Sequence, residues 1–335
     1  MKRLTRMIVG CLALAIAASP VFAQEGIDNA KRNTYLKAVA GKRIVYIPLE
    51  MRDNAAAWYK ILKRQADELG YTVDVRDPNW STDVGARALS AAISEKADLI
   101  VLQNPDVQSY AKLIKKAMDE GIKVIQVNME SLTQSDTYVG ADWVGIGYTG
   151  GREIAKRCSK GKGPSNKIAV VTGVPTSSID LYQMFGFHKA LKELAPDIQI
   201  VSQQSAGYDA NKARGIMSSV LQRNPDLCAT FGVWDGQDSG VGAAVREAGK
   251  SNQVFVVTSG GGNQTSCEKV KDGLFGMFIE YDARMQGAAL NVQVSQLLQS
   301  KDKAGANPVV YYGPNYLVTK DTLASDSCWK LDTMR

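Results

Sequence analysis

Short apolar runs alternate with amphipathic helical patterns along most of the chain. The strands that this pattern predicts in the first half span residues 43–48, 71–75, 98–103, 123–127 and 138–140. Apolar residues recur at helical spacing after Trp58 and after Val107, and Gly70 and Gly121 occupy the expected positions of helix C-caps. Alternation of strands and helices predicts parallel sheets that helices cover on both faces.

The same alternation recurs in the second half of the chain. The strands predicted there span residues 167–171, 198–202, 229–234, 254–258 and 274–279. A chain of 335 residues also exceeds one typical domain. The sequence therefore predicts an α/β fold of two doubly wound parallel-sheet lobes joined by a three-segment hinge. The crossings are expected near residues 140–142, 281–283 and 308–312.

These crossings define the expected lobes and the expected site. The N-terminal lobe takes residues 42–140 and 283–311, and the C-terminal lobe takes residues 141–282 and 312–335. Ligands of open parallel sheets bind beyond the carboxyl ends of the strands. The segments that follow the predicted strands, and that are candidates for the site, are 50–54, 103–106, 128–131, 174–180, 206–208, 234–237, 259–263 and 280–282.

The first residues have the composition of a secretory signal peptide. Lys2, Arg3 and Arg6 precede a short apolar stretch that ends with the small residue Ala23. This stretch is shorter than the roughly 20 residues that a helix needs to cross a bilayer. We therefore expect residues 1–23 to be a cleaved signal peptide and the mature chain to reside in the periplasm. A retained N-terminal anchor is the alternative.

Charge and composition argue against several classes of function. The formal net charge is +6 at pH 7, and loss of Lys2, Arg3 and Arg6 leaves 6 − 3 = +3. The two signs are interspersed, so no nucleic-acid-binding surface is expected. His188 is the single histidine and no GxSxG motif accompanies it, which is a weak basis for a metal site or a catalytic base. We expect no enzyme, no catalytic residue, no metal and no cofactor.

Four cysteines follow the predicted signal peptide, and an exported compartment permits disulfides. Three pairings are possible, and free buried thiols are equally open. Cys158 and Cys228 precede strands that are neighbours in the usual doubly wound order, which favours their pairing. Pairing of Cys267 with Cys328 then follows by elimination.

Two glycine-rich segments allow different readings. Gly145, Gly147 and Gly150 match the GxGxxG spacing of dinucleotide-binding loops. That fingerprint requires an acidic residue about 20 positions further on, where the chain has the apolar run 168–171. We therefore predict that these glycines are close-packing positions of a helix. The run 260–262 follows a predicted strand, and we expect it to line the cleft.

Four segments carry a family resemblance by their order and spacing. They are 63–71 (KRQADELGY), 98–106 (DLIVLQNPD), 140–155 (GADWVGIGYTGGREIA) and 224–235 (NPDLCATFGVWD). Together they resemble the periplasmic sugar-binding proteins of the ribose-binding type, the two-lobed binding components of ABC importers. The resemblance extends from about residue 42 to residue 318. It implies the type I periplasmic binding protein fold and a monomeric protein.

The resemblance also implies which residues contact the ligand. Carried over by position, these contacts are Arg52, Asn54, Asn128, Met129, Gln183, Tyr208, Trp234, Asp235, Gly260 and Tyr281. Tyr208 and Trp234 in addition stand beside predicted strand ends, where the demands of core packing relax. An aromatic ring at such a position favours a place in the cleft.

The chain departs from the family pattern at several of these positions. Pentose and hexose binders of this type usually carry an Asp-Arg pair at Asn128 and Met129, an Arg at Gln183 and an Asp at Gly260. The charged forks that hold sugar hydroxyls are therefore missing, while aromatic, amide and acidic side chains remain. This set suits a sugar alcohol or a less oxygenated sugar. It also suits a small organic cation in an aromatic cage.

We expect the chain to capture a monosaccharide or sugar alcohol and to present it to an ABC permease in the inner membrane. The same fold could instead bind a furanone-type signal sugar or a small organic cation, or act as an adaptor for a chemoreceptor. An exported hydrolase is the enzymatic alternative. The sequence leaves these alternatives open.

Overall fold

A computed structural model describes residues 27–334 of the chain. The predicted signal peptide at 1–23 lies outside these residues. The described chain forms two α/β lobes, each built on a six-stranded sheet, which confirms the fold that the alternating pattern predicts. None of the helices between residues 27 and 334 combines the length and the apolar character that a bilayer crossing requires.

The sheet of the first lobe is parallel throughout, in the order β11-β5-β4-β3-β1-β2. Its strands are β1 (Arg43–Ile47), β2 (Thr72–Val75), β3 (Leu99–Leu102), β4 (Lys123–Val127), β5 (Thr137–Ala141) and β11 (Val309–Gly313). The sequence pattern predicted the first five of these strands. It did not predict β11, an edge strand whose residues are mostly exposed.

The sheet of the second lobe has the order β12-β10-β9-β8-β6-β7. Its strands are β6 (Lys167–Thr172), β7 (Gln199–Ser205), β8 (Ala229–Gly232), β9 (Phe255–Gly260), β10 (Met277–Glu280) and β12 (Tyr316–Val318). Strand β12 pairs antiparallel with β10, and the other pairs are parallel. Strand β12 was also absent from the sequence prediction.

Helices cover both faces of each sheet. Those of the first lobe are α1 (Ile27–Val39), α2 (Asp53–Leu69), α3 (Thr82–Ser94), α4 (Ala111–Asp119) and α10 (Ala283–Gln299). Those of the second lobe are α5 (Trp143–Cys158), α6 (Ser178–Leu194), α7 (Ala210–Arg223), α8 (Asp235–Glu247) and α9 (Gln264–Lys271). Gly70 ends α2 in the left-handed conformation, with φ +77°, which confirms its predicted role as a C-cap.

Strands that are buried on both faces give each lobe two apolar cores. Along β1, Ile44 and Tyr46 pack toward α2 and α10, whereas Val45 and Ile47 pack toward α3 and α4. Alternate side chains of a strand point to opposite faces, so an uninterrupted apolar run fills both cores at once. This explains why the interior strands could be recognised from the sequence.

The chain passes between the lobes at three neighbouring places, and these form the hinge. The first follows β5 at Asp142, the second follows β10 at Tyr281 and Asp282, and the third joins β11 to β12 through Pro314 and Asn315. The third passage lies beyond the expected segment 308–312, because β11 continues in the first sheet as far as Gly313.

The C-terminal tail returns to the first lobe. The backbone N–H and the indole N–H of Trp329 donate to carbonyl oxygens of Gly262 and Gly261, at 2.7 and 2.6 Å. Two residues further on, Lys60 Nζ donates to the carbonyl oxygen of Leu331 at 2.6 Å, and Met334 packs into the apolar core beneath α2. Residues 331–334 therefore rest on the first lobe, outside the lobe that the sequence assigned to them.

Two disulfide bonds join Cys158 to Cys228 and Cys267 to Cys328. The first ties the end of α5 to the start of β8, as the neighbouring positions of β6 and β8 suggested. The second ties α9 to the C-terminal tail. The structure thus confirms the pairing that the sequence favoured over its alternatives.

The glycines of α5 allow this helix to pack closely on α6. A Cβ added to Gly147 would overlap with the carbonyl oxygen of Gln183, and one added to Gly151 would crowd Ala190, also in α6. A Cβ added to Gly150, the last glycine of the motif, would overlap with the ring of Phe231 in β8. The GxGxxG spacing therefore reflects helix packing, as predicted, and marks no nucleotide-binding loop.

This packing yields a prediction for stability. We expect Gly147→Ala to lower the free energy of unfolding by about 1–3 kcal/mol, the usual cost of overpacking. Gly215→Ala is the matched control, because a Cβ there meets no atom within 4 Å in α7, and alanine should stabilise that helix by up to about 1 kcal/mol. Urea denaturation measures both effects, and equal midpoints for the two variants would contradict the close packing.

Candidate ligand-binding site

The carboxyl ends of the strands in the two sheets face each other across a cavity of about 70 Å³. Both lobes contribute to its wall, through the segments that follow their parallel strands. The lining residues are Leu49, Glu50, Arg52, Asp53, Asn54, Ala55, Trp80, Gln103, Asn128, Met129, Ile179, Tyr208, Trp234 and Tyr281.

The structure brings most of the predicted contact residues together at this cavity. Those that line it are Arg52, Asn54, Asn128, Met129, Tyr208, Trp234 and Tyr281. Three other predicted residues, Gln183, Asp235 and Gly260, do not line it. Their contacts lie within the second lobe.

Gln183 is fully buried, and its amide group is used within the second lobe. Its Nε2 donates to the carbonyl oxygen of Val233 at 3.1 Å, and its Oε1 accepts a hydrogen bond from Ser259 Oγ at 3.1 Å. An arginine at this position could extend beyond these partners, whereas the shorter glutamine amide stops at them. Gln183 thus connects α6 to β9 and to the residue that follows β8 through side-chain hydrogen bonds.

Asp235 and Gly260 are in contact within the second lobe, outside the cavity lining. The Asp235 carboxylate accepts hydrogen bonds from Ser266 Oγ and from the backbone N–H of Gly236. A Cβ on Gly260 would overlap with that carboxyl group. The missing side chain at Gly260 therefore makes room for Asp235 and not for a ligand.

Two buried amides present unpaired oxygen atoms in this region. Asn54 Nδ2 donates to the hydroxyl oxygen of Tyr281 at 2.9 Å, and Asn54 Oδ1 has no partner among the described residues. Asn128 Oδ1 is likewise buried without a hydrogen bond in that part of the chain. An unpaired buried acceptor costs about 1–3 kcal/mol, so both oxygens are suited to accept hydrogen bonds from a ligand.

Three residues at the site have backbone conformations that residues other than glycine usually avoid. Asp53, Asn128 and Tyr208 have φ values of +46°, +61° and +63°. Non-glycine residues in the left-handed region cost free energy and cluster at functional sites. The backbone of Asn128 is also fixed by its neighbours, because its carbonyl oxygen accepts hydrogen bonds from Tyr138 and Trp143. These two hydrogen bonds therefore fix the backbone from which the side-chain amide of Asn128 projects.

Three aromatic rings meet at one side of the cavity. The Tyr208 ring lies 5.7 Å from the Trp80 ring and 6.0 Å from the Trp234 ring, measured between centroids. Trp80 belongs to the first lobe, whereas Tyr208 and Trp234 belong to the second. The apolar faces of such rings suit the C–H face of a sugar ring, and they also suit a cation.

Arg52 and Glu50, two charged residues at the cavity, form an ion pair with each other. Arg52 Nε lies 2.6 Å from a carboxylate oxygen of Glu50, and that same carboxylate accepts the indole N–H of Trp80. Burial raises the pKa of Asp53, although Arg52 opposes this effect. The cavity thus contains no unpaired cation among its lining residues that would form a fork to hydroxyl groups.

A buried carboxyl group holds Tyr208 in place. The Asp180 carboxylate accepts hydrogen bonds from the Tyr208 hydroxyl and from Ser177 Oγ, the latter at 2.9 Å. It also accepts the backbone N–H of Gly173 at 2.6 Å. Burial raises the pKa of Asp180 to about 6, although the hydrogen bonds to Tyr208, Ser177 and Gly173 lower it.

A second buried carboxyl group supports Trp234. The Asp238 carboxylate accepts hydrogen bonds from the backbone N–H of Trp234 at 3.2 Å and from Thr258 Oγ1. Burial raises its pKa to about 7, and burial likewise raises the pKa of Asp235 to about 6. The aromatic wall of the second lobe therefore rests on carboxyl groups removed from water.

Trp80 lines the cavity but was not predicted from the sequence. This residue follows β2, and the strand-end segments considered did not include the one after β2. The signal was present in Pro78, Asn79 and Trp80, since Pro and Asn mark a turn after a predicted strand. Leu49 and Ala55 were also missed, because they flank the segment 50–54 and carry no polar group.

Among residues 27–334, no cluster of three or more His, Cys, Asp and Glu side chains could hold a metal ion. The site is instead built from amides, aromatic rings and a paired arginine.

Two lobes that enclose a cavity between the carboxyl ends of their sheets narrow the choice of family. Residues 50–302 match the family described as periplasmic binding protein domain. The chain belongs to this family. The match runs from the end of β1 to just beyond α10 and so includes most of both lobes of this periplasmic binding protein.

Two curated relatives of the binding protein are named for sugars. It is 27% identical over 219 residues to the D-ribose/D-allose-binding protein of Pseudomonas aeruginosa, which is 62% of this chain and 65% of that protein. It is 26% identical over 250 residues to the D-apiose import binding protein of Actinobacillus succinogenes, which is 73% of this chain and 74% of that protein. The first alignment thus spans slightly less than two thirds of the relative.

The fold agrees with that of a solved solute-binding protein. The structure of an ABC transporter solute-binding protein from Agrobacterium vitis, bound to α-D-tagatopyranose, superposes with a TM-score of 0.74 at 23% identity. The superposition covers 86% of this chain and 97% of that one. At this identity the likeness shows the two-lobed fold alone.

The buried acids lead to a pH prediction. Asp180, Asp235 and Asp238 have pKa values raised by burial to about 6, about 6 and about 7, against about 3.9 in an unfolded chain. A raised pKa means that the folded state binds the proton more tightly. The resulting stabilisation is complete below about pH 4 and is lost as the pH rises through the folded value.

We therefore expect these groups to lower the free energy of unfolding progressively between about pH 4 and pH 7. Asp238→Asn should flatten the upper part of this slope, because it removes the group with the highest of the three pKa values. The exposed Asp321→Asn is the control. Urea denaturation at pH 5 and pH 7 measures the slopes, and identical slopes for Asp238→Asn and the unmodified protein would refute the assignment.

Proposed function

We propose that the chain is the solute-binding component of an ABC importer, which captures a monosaccharide or sugar alcohol between its lobes. The observation that carries this proposal is the inter-lobe cavity lined by Asn54 and Asn128, whose buried amide oxygens have no hydrogen-bond partner among the described residues. Hydroxyl groups are donors that would satisfy these oxygens on closure. Water is excluded at the same time, which strengthens such hydrogen bonds.

The composition of the wall supports a ligand with an apolar face and a polar edge. Trp80, Tyr208 and Trp234 supply aromatic surface, and Asn54 and Asn128 supply amides. A sugar ring offers C–H groups to the former and hydroxyl groups to the latter. Because charged forks are missing, selectivity for the ligand would depend on shape and on hydrogen bonds between neutral groups.

The size of the cavity supports a small ligand. At about 10–15 Å³ for each water, a cavity of about 70 Å³ accommodates a handful of waters. This is in keeping with a single ring or a short polyol and argues against a long oligosaccharide. The named ligands of the two relatives, ribose, allose and apiose, are monosaccharides of this class.

We further propose that the mature binding protein acts in the periplasm as a monomer and delivers its cargo to a membrane permease. The composition of residues 1–23 supports export. The hinge of three chain segments supports delivery, since a few residues there can absorb the backbone rotation that opens and closes the lobes. A permease could then distinguish the closed form from the open form by the relative position of the two lobes.

A thermal-shift screen tests the ligand class. We expect a sugar or sugar alcohol at about 100 times its Kd to add roughly 2.7 kcal/mol to the native state, which raises the Tm by several degrees. Small organic cations such as choline serve as the comparison series. A shift with cations and with no sugar or polyol would overturn the proposed ligand class.

Calorimetry with site variants tests the location. Asn128→Ala should weaken binding of the sugar identified in the screen about tenfold or more, because it removes a desolvated hydrogen bond. Its Tm without ligand should fall by only a few degrees, since the Asn128 Oδ1 has no protein partner to lose and the main cost is alanine in the left-handed conformation, φ +61°. Leu132→Ala, on an exposed side chain, is the control, and equal affinities for both variants would place the ligand elsewhere.

A further inference from the structure

The contact between Trp80 and Tyr208 lies at the end of the cleft farthest from the hinge. In both sheets the strands that lead into the hinge, β5 and β11 in the first and β10 and β12 in the second, occupy one edge. Strands β2 and β7 form the opposite edges. Trp80 follows β2, and Tyr208 follows β7. Rotation about a hinge moves the far edge most, so opening separates this contact first.

Trp80 is held in a fixed position although it lies in a loop. Its backbone N–H donates to the carbonyl oxygen of Leu49 at 2.8 Å, and its indole N–H donates to the carboxylate of Glu50. Asn79 and Trp80 both have positive φ values, +47° and +65°. A bulky residue in this conformation is unusual and requires support from its surroundings, which these hydrogen bonds provide.

Trp80 lines two adjoining spaces. The inner cavity holds about 70 Å³, and an outer vestibule of about 390 Å³ adjoins it. Both are lined by Trp80, Tyr208 and Trp234, and the vestibule continues along Asp209 and Asn211. Trp80 is 40% exposed, as expected of a ring with one side toward the cavity and one toward solvent.

We propose that Trp80 is the gate of the cleft and a specificity-determining residue for its ligand. Packed against Tyr208 with the two ring planes tilted by 35°, it closes the cavity over a single ring and blocks any substituent that would extend into the vestibule. This inference rests on the proposed function of the cleft. It names a residue of the first lobe that limits ligand size and slows ligand escape.

The test compares Trp80→Ala, Trp80→Phe and the unmodified protein. Phe185→Ala is the matched control, since it removes an aromatic ring that is 63% exposed and lies outside the cavity lining. D-ribose, D-allose and D-apiose are the probes, each paired with its methyl glycoside. Stopped-flow fluorescence gives dissociation rates, and calorimetry gives the affinity ratio of glycoside to free sugar.

We expect Trp80→Ala to raise the dissociation rate about tenfold and to raise the glycoside-to-sugar affinity ratio by a similar factor. Trp80→Phe should retain most of the closure, and Phe185→Ala should match the unmodified protein. Unchanged rates and an unchanged ratio in Trp80→Ala would overturn the gate. Melting curves verify that each variant is folded.

Failure of the proposed function gives a different result. If the unmodified protein binds none of the sugars or glycosides, these sugars are excluded as its cargo, and small-angle X-ray scattering then decides the gate without ligand. Loss of the contact between Trp80 and Tyr208 should give Trp80→Ala a larger radius of gyration than Phe185→Ala. Equal radii would overturn the gate.

Discussion

The common direction of the strands is the constraint on which the cavity depends. Every strand of the first sheet, and every strand but β12 of the second, runs parallel to its neighbours. Each loop that leaves a strand end therefore emerges at the same edge of its sheet. The hinge sets these two edges face to face, so residues as distant in sequence as Asn54, Asn128 and Trp234 line one cavity.

The second lobe supports its side of that cavity with carboxyl groups in helix first turns. Asp180 stands in the first turn of α6 and Asp238 in the first turn of α8, where the helix dipole favours negative charge. Each binds one member of the aromatic wall, Tyr208 or the backbone of Trp234. An aromatic residue at a small cavity has few packing neighbours on the cavity side. The hydrogen bonds to these two carboxylates hold Tyr208 and the backbone of Trp234 in place from the side of the lobe interior.

The sequence predicted what burial dictates and missed what depends on tertiary partners. Interior strands are apolar on both faces and follow the strand–helix alternation, whereas β11 and β12 carry the apolar runs VVYY and YLV after the last long helix, where residues 308–312 were assigned to a hinge crossing. Asn128 was predicted correctly as a cavity residue because it directly follows β4, and parallel topology brings the carboxyl ends of the strands to one edge of the sheet. Gln183 was misplaced, since its partners within the second lobe cannot be read from its position. Trp80 was missed because the loop after β2 was left out of the candidate segments, although β2 itself was predicted.

The C-terminal tail gives the hinge a mechanical limit. Trp329 donates hydrogen bonds to Gly261 and Gly262 of the second lobe while its ring packs in the apolar core of the first, and Leu331 is bonded to Lys60 of the first lobe. Consecutive Cα atoms lie about 3.8 Å apart, and so short a tether has almost no slack. The second disulfide secures its origin on α9. While these contacts hold, the tail limits how far the two lobes can separate between Gly262 and Lys60.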